Sequence, residues 1–120
     1  MNTSKKEITR ICVYGVGGVG GYFGGKIARK ISSGEINNCE IYFVARGEHL
    51  EKIKQNGLIL NTTEQNGLVC VPVKATDNPS ELPPVDLILV CVKGYDLDSS
   101  IRQISGLIKE DTVILPLLNG

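Results

Sequence analysis

The stretch Gly15-Val16-Gly17-Gly18-Val19-Gly20 constrains this chain more than any other. It directly follows Ile8 to Tyr14, an apolar, β-branched run that reads as a strand, and a helical pattern begins inside it. Each interior glycine costs a helix about 1 kcal/mol relative to alanine. Seven of them lie between Tyr14 and Ala28, so something other than helix stability selects them. A strand, a G-x-G-x-x-G turn and a helix in one βαβ unit is the setting in which that pattern binds a dinucleotide. The three glycines of the pattern have separate duties. Gly15 permits the tight turn, Gly17 lets the backbone approach a pyrophosphate with no Cβ in the way, and Gly20 lets the helix pack close to the strand. The phosphates then meet free N–H groups and the positive end of the helix dipole. A glycine-rich turn that holds no ligand is the competing reading.

The rest of the chain continues the alternation. From about Val19 to Ile31, Phe23, Ile27 and Ile31 recur at helical spacing. Glu40 to Arg46 reads as a second strand, with the continuous apolar run expected when both faces are covered. Glu48 to Asn56 reads as a short charged helix closed by Gly57. Leu58–Leu60 and Leu68–Val73 flank NTTEQNG and suggest a hairpin through Asn66-Gly67. Val85 to Val92 is the strongest buried strand, and the segment Asp77 to Pro84 before it reads as a break. A helix over Leu97 to Ile108 carries one apolar stripe, Leu97, Ile101, Ile104 and Ile108, with Asp96 as its N-cap, and Thr112 to Leu115 is the last strand. Strand–helix–strand alternation of this kind predicts an α/β fold with a Rossmann-like, doubly wound, mainly parallel sheet. The chain stops at LPLLNG with no helix to follow, and reads as cut within a fold at Gly120.

Composition narrows the function. Lys+Arg and Asp+Glu number 13 each, so the formal net charge is zero and no electrostatic case exists for a nucleic-acid partner. No apolar run approaches the roughly 20 residues of a membrane span, and MNTSKKEITR has no signal-peptide core. The four cysteines show no CxxC pair and the one histidine, His49, is near none of them, so no metal site is expected. Cys12, Cys70 and Cys91 lie in apolar runs, which favours reduced thiols and a cytoplasmic setting.

Which dinucleotide binds depends on the residue after the second strand. A site for NAD places Asp or Glu there to hold the ribose 2′-OH. This chain places Arg46, twenty-six residues after Gly20. A guanidinium matches the oxygens of a 2′-phosphate, so the reading is NADPH/NADP. A solvated surface arginine is the alternative. Glu48, close by in sequence, either contacts a ribose or starts its helix favourably, and the second reading is preferred. Lys93 and Asn119 end the strongest and the last strand, at the sheet edge where ligands bind in such folds. A surface lysine and a turn asparagine explain those positions equally well.

GVGGVGGYFGGKIA, ARGEHLEKIKQNGL, VDLILVCVKGYDL and the closing LLNG occur in that order. On these motifs the chain resembles the ketopantoate reductase (2-dehydropantoate 2-reductase) family over nearly its whole length. The resemblance implies NADPH-dependent reduction of 2-dehydropantoate to (R)-pantoate, in pantothenate and coenzyme A synthesis. It implies that Gly15, Val16, Gly17, Gly18, Val19 and Gly20 form the phosphate loop and that Arg46 reads the 2′-phosphate. Lys93 matches a lysine that contacts the cofactor, and Asn119 an asparagine near the nicotinamide ribose and the substrate. The family carries its catalytic lysine, a glutamate and most substrate contacts on a second, helical domain, which the resemblance places beyond Gly120. Residues 1–120 are therefore expected to be a truncated NADP-binding domain with no catalytic residue of its own, inactive alone, and its partners are that helical domain and a small 2-oxoacid. A homodimer is compatible with the resemblance. A reductase of another 2-oxoacid, or a non-catalytic NADPH-sensing module, would show the same motifs. Within the glycine run, Gly24 extends the close packing of Gly20. Gly18, Gly21 and Gly25 share a different helix face, which is expected to receive the second domain.

Overall fold

The computed structural model describes residues 7–17, 19–63, 66–91 and 97–117. In chain order the elements are β1 (Arg10–Tyr14), α1 (Val19–Ser32), β2 (Glu40–Val44), α2 (Gly47–Asn56), β3 (Leu58–Leu60), β4 (Leu68–Cys70), β5 (Lys74–Thr76), β6 (Val85–Val90), α3 (Leu97–Gln103) and β7 (Ile108–Pro116). Five strands form a sheet in the order β5-β2-β1-β6-β7, and every neighbouring pair is parallel. This is the Rossmann-like α/β fold that the alternation predicts. The chain moves outward from β1 on one side, then crosses back to β6 on the other, so the order reverses between β1 and β6. Ligands of such sheets bind at the carboxyl ends of the strands beside that reversal.

The inner strands β2, β1 and β6 are covered on both faces. Ile11 and Val13 of β1 join Ile41, Phe43, Ala28, Leu50 and Ile53 in one core, and Cys12 and Tyr14 join Tyr42, Ile88, Ile104 and Leu107 in the other. That alternation along β1 follows from the two-residue period of a strand. Gly57 closes α2 as expected, with φ +78° and its N–H donating to the Ile53 carbonyl at 2.8 Å.

The buried face of α1 is not the apolar stripe that its periodicity suggests. Phe23 is 46% exposed and stacks edge-on against Tyr22, while Ile27 and Ile31 are half-buried. Gly20, Gly21, Gly24, Gly25 and Ala28 line the covered side of the helix instead. A Cβ on Gly24 would stand 3.2 Å from Phe43 and Val13, so the helix lies closer to the sheet than larger residues allow. Gly25 corrects an expectation. Its Cβ would meet Cys70, Leu60 and Leu58 at 3.3 to 3.4 Å, so the antiparallel β3–β4 hairpin of the same chain already occupies the face assigned to a second domain. Gly21 faces the Val16 carbonyl oxygen, 2.7 Å from where its Cβ would be, and Gly18 lies outside the described residues.

Several boundaries also differ. Lys-Ala-Thr has no strand pattern of its own, yet it forms β5 by pairing with Tyr42–Val44, and the run expected to extend to Val73 ends at Cys70. α3 stops at Gln103 and a 3-10 turn, Ser105–Leu107, follows, which buries Ile104 and Leu107 and leaves Ile101 and Ile108 exposed. β7 is longer than the apolar run TVIL and shows side chains on both faces to solvent. Asp96, expected as the N-cap of the last helix, lies outside the described residues, and so does Gly120.

One buried carboxylate ties the amino ends of three strands together. Asp86 of β6 accepts from the Thr9 N–H, the Thr9 hydroxyl and the Arg10 N–H, each at 2.9 Å, and pairs with Lys109 of β7 at 2.6 Å. The Lys109 ammonium and these donors hold its carboxyl far below the usual carboxylate range. Asp86→Ala should cost about 2 kcal/mol at pH 7, since three hydrogen bonds and an ion pair to one buried carboxylate are lost. A depressed native pKa stabilises the fold at pH values above the unfolded one, near 3.9, and the contribution fades as pH falls below it. Urea titrations of the two proteins should therefore differ at pH 7 and converge as the pH drops below about 4.

Candidate cofactor site

Backbone bonds beyond the strand ends fix the carboxyl edge. The Gly15 N–H donates to the Val44 carbonyl at 3.0 Å, the Ala45 N–H to Thr76 at 3.1 Å, and the Cys91 N–H to Tyr14 at 2.8 Å. The glycine turn after β1 and the Arg46 segment after β2 are thus held side by side. Gly15 has φ +94°, a region that L side chains rarely enter, so the turn needs glycine there.

The three motif glycines behave differently in space. A Cβ on Gly20 would lie 1.9 Å from the Gly15 carbonyl oxygen and 2.9 Å from Cys91 Cβ. A Cβ on Gly17 would have nothing within 4 Å. The open space beside Gly17 is a cradle that a side chain would fill, at the start of α1, whose first turn carries no acidic residue. A phosphate fits that position on both steric and electrostatic grounds.

A cleft of about 230 Å³ opens there, and its walls include Gly15, Val16, Gly17, Arg46, His49 and Asp77. The geometry thus brings the glycine turn and Arg46 into one cavity. Arg46 is exposed and stands before α2 in extended backbone (φ −138°, ψ 161°), and its side chain does not cap the helix. Among the described residues that side chain makes no hydrogen bond or ion pair. Glu48 lies in the first turn of α2.

Two contacts of the site are given no role by the sequence reading. His49 lies within ARGEHL, where no role is assigned to it, and with the proton on Nε2 it donates to the Val16 carbonyl at 3.2 Å and ties α2 to the glycine turn. Tyr14, 3% exposed, donates to Gln103 of α3, which brings the third helix to the cleft. Lys93, Asn119 and Gly120 lie outside the described residues, and so does the side chain of Val19. The four thiols are free, and burial pushes Cys12 up to about 12 and Cys91 up to about 11, so neither is a nucleophile near neutral pH. No helix among the described residues is long and apolar enough to cross a membrane.

Residues 11–120 match the family model of ketopantoate reductase PanE/ApbA. The chain belongs to the ketopantoate reductase family. It is 31% identical over 111 residues to a 2-dehydropantoate 2-reductase of Mesorhizobium japonicum, covering 92% of this chain and 32% of that protein. The crystal structure of 2-dehydropantoate 2-reductase from Porphyromonas gingivalis W83 superposes with a TM-score of 0.84 at 41% identity, over 95% of this chain and 39% of that one. A D-mandelate dehydrogenase solved as a ternary structure with NADH and anilino(oxo)acetate superposes with a TM-score of 0.74 at 30% identity, over 93% of this chain and 34% of that one. The chain therefore spans about a third of the length of these ketopantoate reductase relatives.

Proposed function

We propose that this chain is the NADP-binding domain of an NADPH-dependent 2-dehydropantoate 2-reductase and that the catalytic lysine and glutamate lie on a helical domain beyond Gly120. Its support is one juxtaposition: an open Gly17 cradle at the start of α1 and an Arg46 guanidinium with no partner among the described residues line the same cleft. The spacing matches a dinucleotide laid across the edge, with pyrophosphate over the turn and ribose over the end of β2. The nicotinamide would supply the hydride that reduces the keto carbon of a 2-oxoacid. The chain's own residues bind and orient. Gly15 and Gly17 admit the pyrophosphate, Val16 is fixed by His49, and Arg46 takes the 2′-phosphate. In this reading Lys93 and Asn119 contact the cofactor and Asn119 the substrate. Four free thiols fit a reducing, cytoplasmic compartment.

The D-mandelate dehydrogenase with NADH makes cofactor choice the point to test. Charge-assisted bonds to the 2′-phosphate contribute about 1.5–3 kcal/mol. Arg46→Ala should thus weaken NADPH roughly ten- to a hundredfold and leave NADH nearly unchanged. Calorimetric titration of both cofactors checks it, and equal losses for the two would refute the 2′-phosphate role.

A further inference from the structure

We propose that Asp77 reads the base of the bound dinucleotide by accepting a hydrogen bond from the 6-amino group of adenine. This inference rests on the cofactor reading above. Asp77 follows β5, one strand beyond β2 in the order β5-β2-β1, so along the edge it comes next after the glycine turn and Arg46. Pyrophosphate, ribose and base succeed one another in the same order. Asp77 lines the same cleft as the glycine turn and Arg46. The inner wall of that cleft suits a flat apolar base: Val44 is buried, and the buried Tyr14 joins the same core. Tyr14 also holds Gln103 at the wall by its hydroxyl.

The charge arrangement is the deciding feature. Arg46 and Asp77 line one small cleft with opposite charges, yet they do not pair, and Asp77 makes no hydrogen bond or ion pair with any described residue. The turn that carries Asp77 is nonetheless firmly built. Thr76, 2% exposed, donates to Glu81 and accepts from the Asn78 N–H at 3.0 Å, and Asn78 accepts from Ser80 N–H at 3.2 Å. A cation for the phosphate and an acceptor for an amino donor are thus held apart by the backbone rather than by each other. A carboxylate accepts only. It favours adenine, whose 6-position donates, over hypoxanthine, whose 6-position is a carbonyl.

The test compares NADPH with its hypoxanthine analogue, reduced nicotinamide hypoxanthine dinucleotide phosphate, by titration calorimetry. The wild-type protein should bind the adenine form tighter by roughly tenfold or more. Asp77→Asn, an isosteric amide that can present either a donor or an acceptor, should bring the two affinities within about threefold of each other. Its melting temperature, read alongside, should match the wild type because the side chain is exposed. Equal binding of the two forms by the wild type, or unchanged discrimination in Asp77→Asn, would overturn this inference and leave the cofactor reading standing. Failure of the wild type to bind either form would overturn both.

Discussion

Gly20→Ala should destabilise the protein by more than about 4 kcal/mol, the range reserved for a few severe mechanisms. The added methyl carbon would stand 1.9 Å from the Gly15 carbonyl oxygen and 2.9 Å from Cys91 Cβ. The first neighbour is backbone, and its turn is pinned by the Gly15 N–H bond to Val44 and by a φ that only glycine adopts freely. The second sits at the end of β6, whose Cys91 N–H is bonded to Tyr14. Neither can retreat without parting β1 from its neighbours. Gly24→Ala is the graded comparison. There the methyl would meet side-chain carbons of Phe43 and Val13 at 3.2 Å, which can give by a few tenths of an ångström, so a loss of about 1–2 kcal/mol is expected. Thermal unfolding followed by circular dichroism separates the two. A Gly20→Ala protein melting within a few degrees of wild type would mean that α1 does not need its close approach to β1.

The contrast explains how much of this molecule its sequence discloses. Local rules served wherever the local pattern and the fold agree. The glycine turn sits between a strand and a helix, β6 is apolar but for Asp86, and Gly57 closes α2. The pattern misleads where small residues do the packing. Phe23, Ile27 and Ile31 form the visible stripe of α1, but the helix packs through its glycines, because a close helix–sheet contact is filled by main chain and not by large side chains. Pairing decides β5, whose Lys-Ala-Thr becomes a strand only because Tyr42–Val44 offers an unpaired edge. The hairpin against Gly25 is likewise a tertiary choice, made by Leu58, Leu60 and Cys70 more than thirty residues away.

The site shows the same division. Gly15, Gly17 and Arg46 have sequence signatures because their chemistry depends on residue type at fixed spacing from a strand end. Asp77 and Gln103 do not, because they reach the cleft from the turn after β5 and from α3. Their common location is a property of strand order, which brings the end of β5 to one side of β2 and the end of β1 to the other.

Gly17→Val should reverse the signature of Gly20→Ala: fold retained, cofactor lost. A Cβ at Gly17 meets nothing of the protein within 4 Å, and its φ lies outside the region that L side chains avoid. Stability should therefore change by no more than about 0.5 kcal/mol, a shift of a few degrees in melting temperature. The isopropyl group would instead occupy the space at the start of α1 that the pyrophosphate requires. It would also cover the N–H groups that the phosphate would use. Losing both contact and approach should cut affinity for NADPH and NADH alike by about a hundredfold or more, since each charge-assisted bond is worth about 1.5–3 kcal/mol. Arg46→Ala, by comparison, touches only the phosphorylated cofactor. Titration of both dinucleotides into the two variants thus maps the cleft from pyrophosphate to ribose. A Gly17→Val protein that melts normally and still binds NADPH tightly would show that the pyrophosphate does not lie over this turn, because no dinucleotide can share that space with a valine side chain.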